Sequence, residues 1–148
     1  MLLEKPPVSP SSRELDPMSE FTTQLSVTFL GDNKYVVISP LVFEDDNYVI
    51  TIKEGFVYNG ANIPPEMTSL IGCPMDYIMA LSSCIHDGLY ASAKLSRRDS
   101  DKIFYYCMIS LGKNKAEALV IYKAVRLFGG PSYDKIRNAD LVSVVKKV

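Results

Sequence analysis

Tryptophan is absent, histidine occurs once, and the three cysteines leave an odd count. A single histidine excludes any two-histidine metal site, including the His-Glu-x-x-His helix of zinc peptidases. It also excludes the phosphohydrolases that need a separate upstream histidine beside a His-Asp pair. Cys73, Cys84 and Cys107 have no paired spacing and lie among apolar neighbours, so they read as reduced core thiols. A thiolate nucleophile needs an electropositive, accessible niche, and nothing near these positions supplies one. Cys84 and His86 stand two apart on an expected helix and therefore diverge. The chain has no Gly-x-Ser-x-Gly elbow, no Gly-rich phosphate loop and no Cys-x-x-Cys pair.

Excess charge is lacking too. Sixteen Lys and Arg against 17 Asp and Glu give a net charge of -1, so no global positive field draws in a phosphate backbone, and general nucleic-acid binding is not expected. The pair Arg97-Arg98 reads as solvated surface. No apolar run approaches the roughly 20 residues that span a bilayer, so membrane insertion is not expected. Prolines interrupt the N-terminus at Pro6 and Pro7, which removes the continuous apolar region of a signal peptide.

What is present is the composition of a folded domain: 47% hydrophobic residues, 22% charged residues, nine tyrosines and six phenylalanines in 148 residues. Residues 1–17 are set apart by Pro6, Pro7, Pro10, Pro17 and several serines, and are expected to form a flexible arm. Residues 18–131 read as one α+β domain, and 132–148 as a C-terminal tail, at most partly helical.

Within the domain, β-branched and aromatic runs at Leu25–Leu30, Tyr35–Ile38 and Tyr48–Ile52 predict strands, with Phe56–Tyr58 as a short fourth. Gly31-Asp32-Asn33 and Glu44-Asp45-Asp46-Asn47 supply turn chemistry between them, so the simplest topology is an antiparallel meander of three to four strands. The period then changes to about 3.6. A short helix is expected after Asn62 at Pro64 and Pro65, then helices over about 75–90, from Ser96 to Gly112, and from about Lys113 to Phe128. Three to four C-terminal helices would pack on the meander, an α+β arrangement without βαβ alternation.

The residues able to carry chemistry gather near the second expected helix. His86 and Asp87 point about 100° apart there, whereas Tyr90 lies one turn beyond His86 on the same face. Asp101 falls beside the apolar stripe of the following helix, where a carboxylate needs a partner. The loop Tyr58-Asn59-Gly60-Ala61-Asn62 precedes a helix start, so Asn59 and Asn62 are candidate binding residues, together with Tyr90. Two readings remain open. In one, His86, Asp87 and Asp101 bind a divalent metal ion that activates water, as catalytic residues of a peptidase-like hydrolase, with Asn59 orienting a ligand. In the other, Asp101 accepts hydrogen bonds from His86, Tyr90 or a loop amide and locks the helices and loop together.

Tyr58-Asn59-Gly60-Ala61-Asn62-Ile63-Pro64, Ile85-His86-Asp87-Gly88-Leu89-Tyr90, Asp101-Lys102-Ile103-Phe104 and Ala124-Val125-Arg126-Leu127-Phe128-Gly129 together resemble domain-of-unknown-function family 1353 of phages and prophages. The likeness runs over residues 21–130. In that family the loop usually reads Asp-Gly-Ala-Ser-Ile-Pro, so Asn59 and Asn62 stand in place of an acid and a serine. An amide neither ionises nor binds hard cations as tightly as a carboxylate. The resemblance implies a bacteriophage setting. With the Pro-rich arm and near-neutral charge, it leads to the expectation of a virion-associated or assembly protein, in the tail or baseplate. Such a protein would bind other phage proteins, in the host cytoplasm during assembly and in the virion.

Overall fold

Strands precede helices in the computed structural model, which describes residues 19–59 and 76–148, and the class is α+β. The expected arm over 1–17, the short helix after Asn62, and Cys73 lie outside the described residues. The strands are β1 (Glu20–Phe21), β2 (Val27–Gly31), β3 (Lys34–Val37), β4 (Leu41–Glu44), β5 (Tyr48–Ile52) and β6 (Val57–Tyr58). Helices α1 (Tyr77–Ser92), α2 (Arg97–Ser110), α3 (Lys115–Phe128) and the short α4 (Gly130–Tyr133) follow, then a 3-10 turn at Ala139–Leu141 and strand β7 (Val142–Lys146).

Both hairpin turns form where the sequence places them. Asp32 and Asn33 take positive φ values of 50° and 58°, the conformation a tight hairpin turn needs and these side chains tolerate. Asp45 Oδ1 accepts from the amides of Asn47 and Tyr48, both at 2.8 Å, and so closes the β4–β5 turn. A continuous meander does not form. The described strands make two sheets, ordered β1-β4-β5-β7 and β2-β3-β6. Ser39-Pro40 separates β3 from β4, and proline has no N–H to extend a ladder, so the chain changes sheet there.

The segment 132–148 is also more than a tail. Part of it is helical, but Val142–Lys146 pairs antiparallel with β5 from Ile52↔Val142 to Tyr48↔Lys146. Val142 is fully buried. Five residues of weak pattern become a strand because the adjacent edge of β5 leaves backbone groups to be paired.

Each long helix starts at a side-chain cap. Asp76 accepts from the Met79 amide at 2.8 Å, Ser96 from Asp99 at 3.0 Å, and Asn114 from Ala116 and Glu117 at 2.8 and 3.2 Å. Helix α1 is buried almost all round because β5, β6 and β7 pack against it together with α2. Gly88 marks the closest approach to the sheet: a Cβ there would sit 2.3 Å from Ile52 Cδ1. Leu81, Ile85 and Leu89 join the sheet-facing core with Leu41, Phe43, Ile50, Ile52 and Phe56, whereas Met79, Phe104, Met108, Ile121 and Val125 form a second core among the helices. Phe128, at the last position of α3, is exposed.

Candidate functional site

Asp101 is the hub of the polar residues. Its placement follows from the Ser96 cap, which starts α2 so that position 101 turns inward beside Phe104. The carboxylate is wholly buried. His86 Nε2 lies 2.7 Å from Oδ1, the Tyr90 hydroxyl donates to the same oxygen at 2.5 Å, and Arg126 Nη1 donates to Oδ2 at 2.8 Å. Burial alone would push the Asp101 carboxyl above its ordinary value. The hydrogen bonds from His86 and Tyr90, the charge of His86 and the bond from Arg126 outweigh it and hold the carboxyl below its ordinary value. An ionised carboxylate only accepts, so the bridging proton sits on His86 Nε2.

The rings are fixed as firmly as the charges. His86 stacks on Phe104 at 4.4 Å between centroids and leans on Tyr90 at 4.2 Å, while Tyr133 meets Tyr90 edge-on at 5.3 Å. Burial, reinforced by the bond to Asp101, pushes the Tyr90 hydroxyl well above its usual value, so it stays protonated and donates. Gly129 makes room for it: a Cβ at that position would lie 2.6 Å from the Val125 carbonyl and 2.7 Å from the Tyr90 hydroxyl. Arg97 donates from Nη2 to the carbonyls of Val125 and Arg126, where a cation satisfies the C-terminal end of α3. Arg97, read from sequence as solvated surface, is thus a structural contact.

Asp87 belongs to a different network. Arg137 donates from Nη2 to Asp87 Oδ2 at 2.9 Å and from Nη1 to the Val57 carbonyl at 3.0 Å, with its guanidinium 5.3 Å over the Phe56 ring. Burial raises the Asp87 carboxyl above its ordinary value, opposed by Arg137, by His86 and by a backbone bond from Asn59. Asn59 itself is exposed and, with Lys34, Val57, Tyr58, Arg137 and Asn138, lines an open groove of about 280 Å³.

His86, Tyr90 and Asp101 therefore come together as the spacing implied, and Asn59 meets Asp87, but the two groups are separate. Asn62 lies outside the described residues. The His86, Asp87 and Asp101 set does not converge, because adjacent positions on α1 point about 100° apart and Arg137 holds Asp87 on its own side. Among the described residues, no three His, Cys, Asp or Glu side chains are placed to hold a metal ion. Both oxygens of Asp101 already accept from protein donors. Cys84 and Cys107 are buried, which pushes both thiols well above their ordinary value, away from thiolate chemistry.

Arg126 and Arg137 are the two partners that sequence reasoning missed. Arg126 left a faint signal, a cation between Val125 and Leu127 on an otherwise apolar stretch. Arg137 left none, since only the return of the C-terminal strand brings it to α1.

A family model described as "Protein of unknown function (DUF1353)" matches residues 35–125, more than half of the 148-residue chain. That span contains His86, Asp87, Tyr90 and Asp101 and stops before Arg126 and Arg137. No curated protein and no solved structure matches the chain.

Proposed function

The chain belongs to the DUF1353 family, and from that footing we propose that it is a binding protein of the bacteriophage particle. In this reading it is a virion component or assembly factor of the tail or baseplate that contacts neighbouring subunits. The observation that carries the reading is the β2–β3 hairpin. Phe29 and Leu30 of β2 and Ile38, which directly follows β3, are 59%, 54% and 53% exposed. The outer rows of antiparallel sheets are ordinarily polar, and grouped apolar exposure of this kind marks a contact surface.

The polar residues support the same reading. Each charged group of the buried cluster already has a protein partner, which is how a joint between elements is built, and reactive groups must be accessible to a substrate. Among the described residues no helix is long and apolar enough to cross a membrane, and the net charge of -1 favours protein contacts over a nucleic-acid backbone. The protein would act in the host cytoplasm during assembly and remain in the finished particle.

The test is mass spectrometry of purified particles from the phage that encodes the chain, with quantified copy number. A fixed stoichiometry is expected. Absence from particles would remove the virion reading and favour the alternative, a peptidase-like metal-dependent hydrolase. That alternative requires Asp87 to leave Arg137 and Asp101 to exchange protein donors for a divalent ion, which metal analysis of the purified protein would detect.

A further inference from the structure

We propose that the open edge of β2 pairs antiparallel, across a twofold axis, with β2 of a second copy of this chain. Among the described strands β2 has a partner on one side only, since its sheet is ordered β2-β3-β6. The ladder fixes which of its backbone groups are free. Val37 donates to the Phe56 carbonyl and accepts from Gly55, while Ile38 donates to the Ser26 carbonyl. Hydrogen bonding in an antiparallel pair alternates residue by residue, and Val27↔Val37 and Phe29↔Tyr35 are in register. Val27 and Phe29 therefore turn their N–H and C=O groups to the open edge. Such a row is completed by another extended strand rather than by a helix or a small ligand.

Charge selects the second copy as that strand. Gln24-Leu25-Ser26-Val27-Thr28-Phe29-Leu30-Gly31 contains no ionisable residue. Natural edge strands are commonly blunted by lysine, proline or an inward charge, and β2 has none of these. A twofold pairing sets every residue against the same short segment, so one charge would be repeated against its own copy. Here none is. With Thr28 on the axis, Val27 faces Phe29 of the copy, and the register shift between Phe29 and Gly31 ends the regular pairing there, so no like charges meet within it. About four ladder hydrogen bonds form and the exposed Phe29 gains an apolar cross-strand neighbour on each side of the axis. The two three-stranded sheets then become one continuous sheet.

Purified full-length chain should sediment near twice 16.5 kDa at tens of micromolar and dissociate on dilution. Amide exchange at Val27 and Phe29 should slow as concentration rises. Thr28→Cys should form an intermolecular disulfide across the axis under mild oxidation, and Phe29→Lys should raise the dissociation constant at least about tenfold with an unchanged circular dichroism spectrum. A monomer at all concentrations, with concentration-independent exchange, overturns the proposal. So does a dimer that Phe29→Lys leaves intact and Thr28→Cys does not cross-link. Dimerisation is read on the isolated protein, so its failure is separate from absence of the protein from particles.

Discussion

Arg126 reaches Asp101 across the α2–α3 contact, its Nη1 at 2.8 Å from Oδ2, and so completes a carboxylate that His86 and Tyr90 of α1 engage from the other side. One buried charge thereby joins three helices. Its worth is best measured by removing it, because the surrounding donors would be left without an acceptor.

Asp101→Ala should lower unfolding free energy by about 3 kcal/mol or more, the range for breaking one side of a buried ionic group. Arg126→Met should cost less, about 1 kcal/mol, since that side chain is a third exposed and water screens the pair. Urea unfolding of both variants, followed by circular dichroism, gives the two values. Equal losses would show that the arginine, not the His86 and Tyr90 contacts, dominates the joint.

The same carboxylate sets an acid limit. Folding holds the Asp101 carboxyl below its ordinary value of 3.8. The unfolded chain therefore binds the proton first as pH falls, and stability present above about pH 4 is lost towards the lower folded value. Asp87 acts in the opposite direction: its folded carboxyl is raised, so its unfavourable contribution at neutral pH is relieved on acidification. Urea midpoints between pH 7 and pH 3 should fall for the wild type and fall less for Asp101→Asn. A parallel decline in both would assign the acid limit elsewhere.

Gly129→Ala should destabilise by about 1–3 kcal/mol, the usual cost of forcing added volume into a filled site. The obstruction is the Val125 carbonyl as well as the Tyr90 hydroxyl, and the backbone oxygen cannot swing aside. Thermal unfolding reports the loss. A double variant with Tyr90→Phe should recover only part of it.

Deleting residues 142–148 should destabilise the whole domain rather than trim a tail. It removes β7 from the edge of β5 and uncovers the core that Val142 closes. Expression as a soluble chain with a much lower melting temperature, or no soluble chain, is expected. An unchanged melting temperature would make β7 dispensable.

Much of the architecture was legible because it depends on neighbours in sequence. Turn residues at Asp32-Asn33 and Asp45-Asp46, the cap at Ser96, and the change of period from two to 3.6 act within a few residues. The approach of His86, Tyr90 and Asp101 was legible in part: helical spacing puts two of them on one face, and a carboxylate beside an apolar stripe must find donors.

By itself, then, the sequence determined the α+β class, the helices and hairpins, and the need for Asp101 to be partnered. Only the tertiary structure decided that the strands divide into two sheets at Ser39-Pro40 and that Val142–Lys146 completes one of them. It likewise decided that Asp87 turns to Arg137 while His86 turns to Asp101. The reason is range: propensities and caps are set by contacts along the chain, whereas strand order and ion-pair choice are set by which distant segments share a surface. A separation of 50 residues, as between Asp87 and Arg137, leaves no periodic trace.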